Sequence, residues 1–127
     1  MAYYIFTKKI LNREPISVFN NGDMKRDFTY IDDIISGITS SIEKNYSCEI
    51  FNLGNNNSEN LMDMIAVIEN HLNKKAKIRY LGMQPGDVKK TFADIEHSKR
   101  KLGYSPKTSI NEGVIKFIDW YNHYNDK

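Results

Sequence analysis

Five isoleucines between residues 31 and 42 constrain the fold of this chain more than any other feature. They are Ile31, Ile34, Ile35, Ile38 and Ile42. Because an α-helix repeats about every 3.6 residues, this spacing predicts an amphipathic helix ending near Lys44, with one apolar face. Another element has to cover such a face, so the chain must fold as packed layers of secondary structure.

Other segments have either helical or strand-like patterns. We predict helices over residues 2–12, over 61–72 with Ser58 as N-cap, from Asp94 to Leu102 with Gly103 as C-cap, and after a capping box at Ser109 and Glu112. We predict short strands over residues 16–19, 27–30, 49–53 and 77–80, with turns at 20–23 and 82–86. Helices and strands intermix along the chain, which predicts one α/β unit.

Composition excludes several functional classes. The 127 residues are 40% apolar and 27% charged, as expected for one folded domain, and the net charge is only +2. The sequence has no cluster of basic residues that would predict nucleic-acid binding, and it has no apolar run long enough to cross a membrane. The lone Cys48 cannot form an internal disulfide, and the first residues lack the features of a signal peptide. We therefore expect a cytoplasmic location.

The sequence also lacks the usual catalytic motifs. It contains no glycine-rich phosphate loop and no nucleophile elbow. The three histidines fall on separate predicted helices, which favours surface or half-buried roles over metal ligation. Tyr4 and Lys8 have the spacing of a catalytic Tyr-x-x-x-Lys pair, but they lie in a terminal helix with no nucleotide fold before it, so we interpret the match as chance. No catalytic, cofactor-binding or metal-binding residue is assigned.

Several motifs nevertheless occur in a characteristic order. They are Arg26–Asp33 (RDFTYIDD), Phe51–Asn55 (FNLGN), Gln84–Val88 (QPGDV), Leu102–Pro106 (LGYSP) and the FxxWY of the last helix. Together they resemble the C-terminal portion of the extended short-chain dehydrogenase/reductases, in the NAD-dependent epimerase/dehydratase family. The resemblance covers essentially the whole chain and is strongest to bacterial UDP-glucuronate 4-epimerases of capsular polysaccharide biosynthesis.

The resemblance implies a fold and an activity. It implies that residues 1–127 form the small mixed α/β substrate-binding domain, without the N-terminal Rossmann half that holds NAD and supplies the catalytic Tyr and Lys. In the intact family, hydride leaves C4 of the sugar for NAD and returns to the other face. We therefore expect this chain to be inactive alone and to have no cofactor of its own.

The same resemblance implies four substrate-binding residues. Arg26 would bridge the UDP diphosphate, although a surface arginine paired with Asp23 or Asp27 is the alternative. Phe19 would pack against the uracil ring, unless it belongs to the strand core. Asp87 would accept hydrogen bonds from the ribose hydroxyls. Gln84 stands where many relatives have a phosphate-binding arginine, so it could bind phosphate only as a neutral amide.

Partners follow from the same comparison. We expect weak UDP-sugar binding, and either a homo-oligomer or assembly with a separate Rossmann-domain chain. In the family, the helix and strand that correspond to residues 31–44 and 50–53 pack against the Rossmann half, so their apolar faces should be uncovered here. A vestigial interaction module is the alternative function.

Overall fold

A computed structural model describes residues 1–125, which form an α/β fold of five helices and four short strands. The helices are α1 (Ala2–Leu11), α2 (Ile31–Lys44), α3 (Leu61–Leu72), α4 (Glu96–Leu102) and α5 (Ile110–Asn125). The strands are β1 (Pro15–Val18), β2 (Lys25–Asp27), β3 (Ser58–Asn60) and β4 (Lys77–Tyr80). The α/β class expected from the sequence is confirmed.

The main core lies where three helices meet a pair of parallel strands. Strand β1 pairs with β4 in a register that places Ile16 opposite Ile78. Helix α3 contacts both α1 and α5, and α1 also contacts β1. The fully or nearly fully buried apolar residues of this core are Phe6, Ile10, Ile16, Val18, Met64, Ile65, Ile68, Val114 and Ile118.

A second, smaller cluster packs residues around α4 against residues 51–53. Ile95, Leu102 and Tyr104 are buried there, with Phe51 and Leu53 packed against them. Helix α4 ends as predicted at Gly103, whose φ of 71° is left-handed and therefore suits glycine. The serine half of the predicted capping box precedes α5, because the Ser109 hydroxyl accepts a hydrogen bond from the Glu112 amide at 3.2 Å, whereas the Glu112 carboxylate contacts Lys116 at 2.7 Å.

Two predicted strands differ from the structure. The strand expected over residues 27–30 is instead β2, since Lys25–Asp27 pairs with β3 and its partner decides where the ladder runs. Residues 49–53 form no strand, because no part of the described chain pairs with them. A strand needs a hydrogen-bonded neighbour, and a local apolar pattern does not supply one.

The predicted N-caps need correction as well. Ser58 does not cap α3, because it belongs to β3, and Asn60 precedes the helix. Asp94 lies just outside α4, where its carboxylate accepts a hydrogen bond from the Glu96 amide at 3.0 Å. The residue at the N-cap position itself is Ile95.

Helix α2 leaves four of its five isoleucines exposed. On its contact side, Asp33 and Gly37 are buried and Ile34 is half-buried, and a Cβ at Gly37 would lie 2.6 Å from a methyl carbon of Leu53. Along the opposite side runs an isoleucine stripe of exposed side chains, 42% to 72% accessible, made of Ile31, Ile35, Ile38 and Ile42. None of the helices in residues 1–125 is both long and apolar enough to cross a bilayer.

Candidate functional site

Two of the four predicted site residues form an ion pair. The Arg26 guanidinium lies 2.7 Å from a carboxylate oxygen of Asp87, and both side chains are about one-quarter to one-third exposed. Arg26 also donates hydrogen bonds to the backbone carbonyls of Lys25 at 2.8 Å and Lys89 at 3.3 Å. The alternative partners considered for Arg26 are wrong, because Asp23 pairs with Lys89 and Asp27 binds backbone amides.

The position of β2 explains why Arg26 and Asp87, which are 61 positions apart in the sequence, lie side by side. One edge of β2 pairs with β3, with Arg26 opposite Glu59. Its other edge meets the segment that follows Asp87, since the Lys25 amide donates to the Lys89 carbonyl at 2.8 Å and the Thr91 amide donates back to Lys25 at 3.1 Å. Asp87 is therefore held beside Arg26 by backbone hydrogen bonds as well as by charge.

Phe19 reaches the same region from the end of β1. It opens a tight 3₁₀ turn, Phe19–Gly22, in which Asn20, Asn21 and Gly22 all have positive φ values of 48°, 51° and 87°. Asparagine and glycine tolerate this conformation better than other residues. Phe19 thus lies outside the strand and outside the buried core, so the strand-core alternative is wrong.

These three residues line one cavity. Its volume is about 490 Å³, which falls within the range of small-molecule sites. Strands and loops contribute Ser17, Phe19, Met24, Arg26, Phe28 and Asp87, the start of α3 contributes Leu61, and one face of α1 contributes Ala2, Ile5, Phe6 and Lys9. A second cavity of about 130 Å³, between Tyr3, Tyr30 and Phe117, contains none of the predicted residues.

Gln84, the fourth predicted residue, is not part of the cavity lining. It is exposed and begins a reverse turn in which its carbonyl accepts a hydrogen bond from the Asp87 amide at 3.2 Å. Gly86 supplies the positive φ of 79° that this turn requires. The Gln84 backbone therefore positions Asp87, while the Gln84 side chain lies outside the cavity.

Asp27 is the main structural residue beside the site. Its carboxylate accepts backbone hydrogen bonds from Asn55 at 2.8 Å, Asn56 at 3.1 Å and Ala93 at 2.8 Å. Its own amide donates to the Thr91 hydroxyl at 3.1 Å. One side chain therefore joins the two loops that flank β2. Sequence patterns alone did not assign this role to Asp27, because its loop partners lie 28 to 66 residues away along the chain.

A buried tyrosine strengthens the same junction. The Tyr104 hydroxyl donates a hydrogen bond to the Gly54 carbonyl at 2.9 Å. Burial, together with the nearby carboxylates of Asp33 and Asp27, raises the pKa of Tyr104 to about 12. Asp33 itself accepts hydrogen bonds from the Lys107 and Thr108 amides, so it serves as a structural hydrogen-bonding residue.

The histidines and the Tyr4–Lys8 match lie away from this cavity. His71 contacts Asp119 at 3.0 Å, and His97 contacts Glu49 at 2.9 Å while its ring stacks on Phe51. Tyr4 packs edge-on against Tyr121, with 5.4 Å between ring centroids. Within residues 1–125, no three groups of metal-ligand type come together.

Comparison with known proteins identifies the class. The family model for GDP-mannose 4,6-dehydratase matches residues 4–117. The chain is 39% identical to protein CapI of Staphylococcus aureus, over all of this chain and 43% of CapI. It is 40% identical to the UDP-glucuronate 4-epimerase of Thermodesulfobacterium geofontis, over 94% of this chain and 37% of that enzyme.

Solved structures agree with this match. The UDP-glucuronic acid 4-epimerase of Bacillus cereus, in complex with UDP-glucuronic acid and NAD, superimposes with a TM-score of 0.90 at 32% identity, over 98% of this chain and 40% of that one. The fold is therefore that of the C-terminal portion of the extended short-chain dehydrogenase/reductases. The chain belongs to the nucleotide-sugar epimerase/dehydratase family described by the GDP-mannose 4,6-dehydratase model, and it spans about two-fifths of the length of these relatives.

Truncation of two adjacent residues of β2 should destabilise the fold to different extents. Asp27→Ala removes the acceptor of three backbone N–H groups, so we expect a loss of about 2–4 kcal/mol in the free energy of unfolding. Arg26→Ala breaks a partly exposed ion pair and should cost about 1 kcal/mol or less. Urea denaturation followed by circular dichroism measures both. If both variants lost the same free energy of unfolding, Asp27 would not be the structural residue of the pair and Arg26 would not be free for binding.

Proposed function

We propose that this chain forms the nucleotide-binding part of a UDP-sugar site in a UDP-glucuronate 4-epimerase-like protein of the cytoplasm, serving capsule or other polysaccharide sugar biosynthesis. The observation that carries the proposal is the cavity in which Phe19, Arg26 and Asp87 meet from three separate segments. An aromatic ring, a guanidinium and a carboxylate match the base, diphosphate and ribose of a nucleotide in turn. Relatives crystallised with UDP-sugars support the same ligand class.

Each residue has a distinct part in the proposed complex. The Phe19 ring would stack on uracil, which needs only a flat apolar face. Arg26 would donate to the phosphate oxygens from the same guanidinium that now binds Asp87, and Asp87 would accept from the ribose hydroxyls. Gln84 lies beyond the cavity lining, so its amide would contact only a ligand that extends past Asp87.

The NAD of the family does not fit the residues described in this chain. A dinucleotide site needs a parallel strand, a glycine-rich turn and a helix N-terminus in direct succession. Strand β1 leads into a 3₁₀ turn and then β2, and β4 leads into the loop over residues 81–95. Because the chain also lacks a glycine-rich motif, we propose that these 127 residues do not catalyse epimerisation without a Rossmann-domain chain.

Nucleotide binding tests the proposed site. We expect UDP to bind the isolated chain with a dissociation constant near 1 mM, or about −4 kcal/mol, because the cavity encloses only part of a nucleotide sugar. Saturation-transfer NMR should give clear uridine signals with the wild type and much weaker signals with Arg26→Ala. Arg100→Ala is the control, since Arg100 is exposed on α4 and is not among the lining residues. Equal signals from Arg26→Ala and wild type would reject the role of Arg26.

Turnover tests the proposed inactivity. We expect no UDP-galacturonate when the purified chain is incubated with UDP-glucuronate and NAD, because it has no assigned residue to hold the cofactor or move the proton. NMR of the sugar anomeric protons detects the product directly. In the positive control, a Rossmann-domain chain from a related epimerase is added to the same mixture, and product is expected. Product formed by the isolated chain would overturn this part of the proposal.

A second candidate function is an interaction module, and the isoleucine stripe favours it. Four exposed isoleucines on one face of α2 form an apolar surface that proteins usually cover. Ile50 is also largely exposed, in a segment without a strand partner among the described residues. We propose that in the isolated chain a second copy covers this surface, and that a Rossmann-domain chain competes for it where one is present.

Light scattering at micromolar concentration tests self-association. We expect the wild type to be a dimer or larger and Ile38→Asp to be a monomer with nearly unchanged thermal stability, since Ile38 is exposed within one chain. Ser36→Asp is a matched control, because it adds the same charge at an exposed position of α2 that is not three or four residues from any residue of the stripe. A monomeric wild type that loses stability on Ile38→Asp would show instead that Ile38 belongs to the chain's own core.

A further inference from the structure

Lys9 is a cation in the nucleotide cavity that the family resemblance did not assign. One face of α1 lines the cavity with Ala2, Ile5, Phe6 and Lys9, at separations of three, four and seven residues. These separations bring side chains onto one side of a helix, so Lys9 continues an apolar face with a charge. Its neighbour Lys8 is exposed and is not among the lining residues.

The charge balance of the cavity depends on Lys9. The charged lining residues are Lys9, Arg26 and Asp87. Arg26 and Asp87 offset each other, with 2.7 Å between their charged groups. Lys9 forms no ion pair with any carboxylate of the described residues, so the net positive charge of the lining comes from its ammonium group.

A diphosphate requires more positive charge than the Arg26–Asp87 pair can give. A terminal phosphate group alone carries about −1.5 to −2 charge near neutral pH. One Arg26 nitrogen is already occupied by Asp87, and the neutral Gln84 lies outside the cavity. The lysine ammonium has three donors on a flexible stem and acts as a point charge, which suits a phosphate bound beside a planar guanidinium.

We propose that Lys9 is a second phosphate-binding residue of this site and sets its preference for nucleoside diphosphates over uncharged nucleosides. The inference rests on the proposed nucleotide function and assigns its phosphate subsite to two elements, β2 and α1. Lys9 takes the role of the cation that the Gln84 position does not provide.

Titration of the full chain by NMR chemical shifts tests this assignment. The probes are UDP and uridine, and the variants are Lys9→Gln, Lys8→Gln and Lys9→Arg. We expect Lys9→Gln to weaken UDP binding about three- to tenfold, as for a half-exposed charge-assisted contact, and to leave uridine binding unchanged. Lys8→Gln removes the same charge from the exposed side of α1 and should change UDP affinity less than twofold. Lys9→Arg should retain most of the affinity.

The outcomes separate this inference from the proposed function. If Arg26→Ala weakens UDP binding but Lys9→Gln matches Lys8→Gln, the nucleotide site stands and the Lys9 assignment is wrong. An equal loss for uridine and UDP in Lys9→Gln would mean that Lys9 only supports the packing of α1, which also overturns it. If the wild type binds no UDP, both the proposed function and the Lys9 assignment are wrong.

Discussion

The carboxylate of Asp27 is the interaction on which the rest of the site depends. It binds the amides of Asn55, Asn56 and Ala93, so two loops that are distant in sequence meet at β2. Successive side chains of a strand point to opposite faces. Asp27 therefore turns toward the loops while Arg26, one residue earlier, turns toward the cavity and Asp87. The two faces of one short strand thus separate Asp27, which holds the loops of the site together, from Arg26, which we propose binds the ligand.

Close packing at this junction leaves no room for a side chain on residue 54. A Cβ at Gly54 would overlap the Cβ of Ala93 and would lie 3.3 Å from an Asp27 carboxylate oxygen. Only glycine lets the loop approach closely enough for its next two amides to reach Asp27. The Tyr104 hydroxyl, bound to the Gly54 carbonyl, fixes the same loop from its other side. The glycine of the FNLGN motif is thus explained by packing, without any ligand contact.

Sequence patterns predicted the helices well and the strands less well, for a physical reason. The spacing of isoleucines over residues 31–42 and the apolar run over 61–72 each specify a helix by local contacts, and α2 and α3 match them closely. Strand positions depend on partners elsewhere in the chain. β2 begins at Lys25 because β3 and the segment after Asp87 pair there, whereas residues 49–53 have a strand-like pattern but no partner in the described range.

The same distinction applies to the candidate site. Motif resemblance pointed to Phe19, Arg26 and Asp87 individually, and the structure brings them to one cavity. The motif resemblance did not point to Lys9. That residue lines the cavity from one face of α1, and a lysine at the end of an apolar stripe has several possible environments until its neighbours are known. Helix α2 illustrates the converse case. Its small residue Gly37 packs inward against Leu53, and four of its five isoleucines remain exposed. Periodicity identifies the face of a helix that needs covering, but only tertiary contacts determine whether its own chain covers it.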